Sequence, residues 1–96
     1  EHLFNSKILT FEDWESFKHR FEQAYPGYLL RIRGAHADLS GAEERLFLLI
    51  KLGFNSQEIA GTLGISINGV KKGRQRLRKR LDLHPDADLE AFIKAF

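Results

Sequence analysis

The chain is 96 residues long, 43% hydrophobic and 29% charged, with 15 basic and 13 acidic side chains for a net charge of +2. That length and composition give one globular domain with a core and exclude disorder of the whole; no apolar run nears the roughly 18 residues of a membrane span. Cysteine is absent, which excludes disulfides and thiolate chemistry and removes the strongest ligand type for zinc.

Alternating strand patterns are missing and the apolar spacing is helical, so an all-α fold of six short helices is expected. Thr10 can cap a first helix whose third residue is Asp13. Phe11, Trp14, Phe17 and Phe21 recur along it at spacings of three and four, to an end near Tyr25. Pro26-Gly27 then opens a short helix carrying Tyr28, Leu29 and Ile32. Ser40 with Glu43 forms a capping box for a third helix over 41–52, with Leu46, Phe47, Leu49 and Ile50 as a wide apolar stripe and Gly53 as its stop. Asn55-Ser56 starts a helix over 57–63, which Gly64 ends. Ser66 caps a longer one over 67–81. After Pro85, a last helix from about residue 87 carries Leu89, Phe92, Ile93 and Phe96 on one side. The glycines are scattered, so no phosphate loop is present. His2, His19, His36 and His84 lack metal-ligand spacing, and no serine stands in a nucleophile context. No enzyme activity, metal or cofactor is expected.

The charge is segregated. Residues 1–64 hold seven basic and nine acidic groups, residues 65–81 seven basic and none acidic, and residues 82–96 one basic and four acidic. The block is Lys71, Lys72, Arg74, Arg76, Arg78, Lys79 and Arg80. Like charges so close repel one another, and phosphate backbones are natural partners for them. The block falls on the second of two helices joined only by Gly64, Ile65 and Ser66, the parts of a helix-turn-helix. Projected at about 100° per residue, that helix has Val70, Leu77 and Leu81 on one stripe with Gly73 at its margin. Asn68, Lys71, Lys72, Gln75, Arg76 and Lys79 spread over the other side, and amides and cations are the groups that reach base edges and phosphates. Double-stranded DNA is the expected partner. Contacts are expected from Gln57, Ser66 and Asn68 and from the face beyond them. About five clustered cations, Arg74, Arg76, Arg78, Lys79 and Arg80, should lie on phosphates.

Five ungapped stretches carry a resemblance to a known family: Leu39-Ser40-x-x-Glu43, Leu49-Ile50-x-x-Gly53, Glu58-Ile59-Ala60-x-x-Leu63-x-Ile65-Ser66, Val70-Lys71 and Arg80-Leu81. Together they resemble the LuxR-type (GerE-like) helix-turn-helix domain of bacterial transcription regulators. The resemblance implies sequence-specific duplex binding with helix 67–81 in the major groove, and base reading by Lys71, Lys72 and Gln75. It also implies a terminal helix that often mediates dimerisation. Physically, Ala60 is small where the two helices cross, Ile59, Leu63 and Ile65 should fill the space beneath the turn, and Glu58 reads as an exposed polar residue without a duty. Three positions depart from the family pattern: Gly69 replaces a usual Thr, Gly73 a usual His, and Arg45 a usual acid. Two glycines inside a helix cost about 1 kcal/mol each against Ala, so either the helix is soft or its backbone approaches something closely.

Residues 1–37 read as an N-terminal helical extension outside the common domain, and 38–96 as the helix-turn-helix domain, in one structural unit overall. The Trp14-x-x-Phe17 helix followed by Pro26-Gly27 resembles regulators of Bacteroidetes-type bacteria, where such domains end large sensors. With no Met at position 1, the chain reads as a piece of a longer protein with an upstream sensor. Its expected place is the cytoplasm, even if the full-length protein is membrane-anchored. Two surfaces stay open. The stripe of Phe11, Trp14, Phe17 and Phe21 is core or an interaction surface, and Leu89, Phe92, Ile93 and Phe96 are core or the contact of a homodimer. Two other functions compete: promoter recognition like that of sigma-factor region four, with RNA polymerase as partner, and a protein-interaction module using the aromatic residues 11–28. Membrane-surface binding through 71–81 fails because that helix lacks the Trp or Phe an interfacial helix carries.

Overall fold

A computed structural model describes residues 8–96; His2 and the rest of the first seven residues of the extension lie outside the described residues. The fold is all-α, with no strand among the described residues. Its helices are α1 (Phe11–Ala24), α2 (Tyr28–Ala35), α3 (Gly41–Lys51), α4 (Ser56–Leu63), α5 (Ile67–Arg80) and α6 (Leu89–Ala95). No helix among these residues is long and apolar enough to cross a membrane.

Short polar side chains set most of the helix starts by accepting backbone N–H groups that lack an intrahelical partner. Thr10 and Asp13 close a reciprocal box at α1, and Ser40 and Glu43 close another at α3. The two N–H groups that Asp13 accepts, from Leu9 and Thr10, hold its carboxyl below the usual carboxylate range. A third box lies at α4: Asn55 Oδ1 accepts the Glu58 N–H and Glu58 Oε1 accepts the Asn55 N–H, both at 2.8 Å. Glu58 therefore has the duty the sequence reading did not give it, and α4 begins one residue earlier than expected. At α6, Asp88 accepts the Ala91 N–H, which places the start at Leu89 rather than near residue 87.

The ends are equally local. Gly53 and Gly64 take left-handed backbone at φ 91° and 68°, a region open to glycine at little cost. After α5, Asp82 takes the same region at φ 62°. The Asp82 and Leu83 N–H groups reach back to the Lys79 and Arg78 carbonyls, a Schellman ending without glycine.

One continuous core joins all six helices. Trp14, Phe17 and Phe21 of α1 are buried in it, so the aromatic stripe is core. Only Phe11, 73% exposed, stays outside. Tyr28 packs within 6.2 Å of Phe47 and edge-on to Phe96 at 5.6 Å. Burial pushes its hydroxyl pKa up to about 12. Arg45 lies 5.1 Å from the Trp14 ring centroid, so the cation at this position faces the aromatic extension. Arg33 of α2 clasps Glu44 of α3 with two nitrogens, at 2.9 and 3.1 Å, and that pair raises the Arg33 pKa further.

Leu89 and Ile93 of α6 are fully buried, and Phe92 and Phe96 pack against the same core half-buried. The four side chains proposed for dimerisation thus do not form a free face. Tyr28 Oη, Lys51 Nζ and Arg31 Nη2 donate to the carbonyls of Ile93, Lys94 and Phe96 at the end of α6. Cations and a hydroxyl at a helix C-terminus satisfy its open carbonyls and offset its dipole. The extension and α6 brace each other, and the short α6 has enough partners to bury its apolar side.

Candidate nucleic-acid interface

α4 and α5 pack together, Ala60 of α4 is buried, and the turn between them is residues 64–66. The Ile65 N–H returns to the Ala60 carbonyl at 3.1 Å, and Ser66 Oγ caps α5 by accepting the Gly69 N–H at 3.0 Å. Ile59 is fully buried beneath the turn and Leu63 half-buried. Ile65 does not fill that space as expected: it is 46% exposed. Its Cδ1 lies 3.6 Å from where a Cβ on Gly69 would stand, so it covers the first turn of α5 from outside. The chain before α1 closes the other side. The Ile8 N–H donates to the Thr62 carbonyl at 2.8 Å, and Leu9 lies over Gly64 where a Cβ would meet it at 2.8 Å.

The inner side of α5 is made by Val70 and Leu77, with Leu81 just past its end. Gly73 has its use here. A Cβ on it would stand 3.3 Å from Leu46 Cδ2, so the absent side chain lets α5 lie close on α3. Asn68, Lys71, Lys72, Gln75, Arg76 and Lys79 are all exposed on the opposite side. No acidic residue interrupts the helix sequence. Gln57 is exposed in the first turn of α4, and Ser66 has its hydroxyl committed to the cap.

The seven clustered cations divide into two groups. Lys71, Lys72, Arg76 and Lys79 have no ion pair among the described residues and face outward. The other three are tied to the protein. Arg74, whose side chain is 12% exposed, pairs with Glu90 of α6. Arg80 Nε meets both carboxylate oxygens of Glu43 at 3.1 and 3.2 Å. Arg78 Nε donates to the Ala87 carbonyl at 3.0 Å, and its Nη1 donates to Gln75 Oε1 at 3.0 Å. The expectation that Arg74 lies on a phosphate is corrected by this placement: its side chain is inside, against α6. At about 100° per residue position 74 falls roughly 40° from Val70, at the margin of the apolar stripe on the side away from Gly73, and Glu90 holds it inward. Arg78 and Arg80 are likewise positioned by internal acceptors, which the chain order does not reveal since Ala87 and Glu43 belong to other elements.

Glu43 is the hinge of this arrangement. It is 7% exposed, completes the cap of α3 through Ser40, and holds the last turn of α5 through Arg80. Burying a carboxylate is costly unless such partners meet it. Next to it a groove of about 420 Å³ runs between α3 and α5, with Leu46, Ile59 and Val70 among its walls and Arg76 and Arg80 on its rim. No group of three His, Asp or Glu side chains that could hold a metal ion occurs among the described residues. The chain matches no protein-family model, no curated protein and no solved structure.

Proposed function

We propose that the chain is the duplex-DNA-binding part of a transcription regulator of the LuxR-type kind that residues 39–81 resemble, with α5 entering the major groove. The observation that carries this reading is the outer side of α5. Six exposed amide and cationic side chains stand there, opposite a buried Val70–Leu77 stripe and next to a three-residue turn from α4. A major groove admits one α-helix, and its base edges present acceptors to Lys and both kinds of partner to Asn and Gln. In this reading Lys71, Lys72 and Gln75 face base edges, while Arg76 and Lys79 neutralise phosphates. Arg74 and Arg80 instead hold the helix at its angle through Glu90 and Glu43.

One such module buries limited DNA surface, so specificity would come from two copies on half-sites a helical turn apart. The apolar side of α6 is occupied within one copy, so the contact between copies lies elsewhere or in an upstream region. Of the aromatic residues 11–28 named for the interaction-module alternative, Trp14, Phe17, Phe21 and Tyr28 are buried, which leaves Phe11 exposed.

The test is a titration of labelled duplexes across ionic strength. Arg76 and Lys79, the two outward cations on phosphates, set the number of released counterions at about two, giving a log–log slope of about −2 per copy. That is shallower than seven clustered charges would give. A slope near zero overturns the DNA reading.

A further inference from the structure

We propose that Arg78 is a positioning residue that fixes Gln75 as a hydrogen-bond donor, so that this position selects guanine; the inference rests on the DNA-binding reading above. A glutamine free to choose pairs with adenine, accepting from N6 and donating to N7. Gln75 is not free. Its Oε1 accepts from Arg78 Nη1 at 3.0 Å. A guanidinium has only donors, so it meets the amide oxygen and leaves the amide NH₂ as the group turned away from it. Arg78 is itself anchored, because its Nε donates to the Ala87 carbonyl at 3.0 Å in the segment before α6. The planar fork thus spans from a fixed backbone carbonyl to an exposed side chain, and Gln75 inherits that rigidity.

The consequence for base choice follows from the groove's donor and acceptor pattern. Guanine presents two acceptors, O6 and N7, to the outward NH₂. Adenine's N6 donors find one of the two lone pairs of that oxygen already taken by a cation, and cytosine presents the N4 donors to a donor. The positive guanidinium nearby adds to the preference for guanine's electronegative edge. Arg78 in this account touches no phosphate, although it lies within the basic block.

Two substitutions test it on duplexes varied at one base pair at a time. Arg78→Met keeps the apolar stem and frees the Gln75 oxygen. The expected result is a shift from guanine toward adenine at a single position, by about 5- to 100-fold in relative affinity, with the salt slope unchanged. Gln75→Glu keeps the Arg78 contact and its anchor but turns an acceptor outward, and should move the same position from guanine to cytosine. Because Arg78 also holds Ala87, the Gln75→Glu switch decides the matter if Arg78→Met lowers the melting temperature. Unchanged selection in Gln75→Glu overturns the proposal, as does an Arg78→Met protein that stays folded, weakens on all sequences alike and loses about one unit of salt slope. Wild-type protein with no salt-dependent duplex binding fails earlier and overturns the DNA reading itself, a distinguishable result.

Discussion

Lys72 and Arg74 stand two positions apart on α5 and have opposite surroundings. Lys72 is exposed without an ion pair, while Arg74 is nearly covered and bound to Glu90. On the proposed DNA reading, Lys71→Ala or Lys72→Ala should leave the melting temperature unchanged and relax preference at one or two base pairs, costing about 1–3 kcal/mol on the preferred duplex. Arg74→Ala should instead reduce stability by about 1–2 kcal/mol, since a charge-assisted hydrogen bond is lost while half-exposed Glu90 regains water. Its salt slope should match wild type. Thermal melts beside titrations separate the two kinds of residue, and a shallower slope in Arg74→Ala would contradict the placement. Tyr28 gives a pH prediction. Its hydroxyl titrates near 10 when unfolded and near 12 in the fold, because burial disfavours the phenolate. The folded state therefore keeps the proton that the unfolded state loses. Stability from this group is whole below about pH 10 and falls as pH rises toward 12. Denaturant midpoints measured from pH 8 to 12 should decline only in the upper part of that range, and Tyr28→Phe should flatten the decline.

At the scale of the helix, the two glycines of α5 are not equivalent. A Cβ at Gly69 meets Ser66 Oγ at 3.4 Å and Ile65 no nearer than 3.6 Å, ordinary contact distances. Gly69→Ala should therefore stabilise by about 0.5–1 kcal/mol through helix propensity and a less free unfolded chain. At Gly73 the new Cβ meets Leu46 Cδ2 at 3.3 Å, so Leu46 must give by a few tenths of an ångström and most of that gain is offset. The ordering of melting temperatures, Gly69→Ala above Gly73→Ala, is the outcome to check. Equal gains would mean that α5 does not press on α3 as described. Of the two readings offered for these glycines, softness suits Gly69 and close approach suits Gly73.

At the scale of the molecule, the extension, α6 and α5 form one chain of contacts. Tyr28, Arg31 and Lys51 hold the end of α6, and α6 with its preceding segment holds α5 through Glu90 and Ala87. Phe92→Asp places a carboxylate at a half-buried position packed against the core, where a charge is costly to desolvate. It should lower the melting temperature by several degrees and weaken binding to a single half-site. Stable protein that loses only cooperative binding to paired half-sites would restore the dimer role of this helix.

Sequence by itself determined what depends on neighbours in the chain. The boxes at Thr10 and Ser40, the glycine stops at 53 and 64, and the inner stripe of Val70, Leu77 and Leu81 all follow from spacing, because capping and helical periodicity act over three to seven residues. The Asn55–Glu58 box belongs to the same class and was legible on that rule. The all-α class and the exposed amide and cationic row on α5 were legible for the same reason. Tertiary structure alone decided which cations remain outward, since Glu90, Glu43 and the Ala87 carbonyl reach Arg74, Arg80 and Arg78 from other elements. It alone decided that the apolar side of α6 is core and that Ile65 stays outside, because an amphipathic pattern fixes which side is apolar but not what covers it. Charge counts sum over the chain, whereas pairing depends on distances only the folded backbone sets.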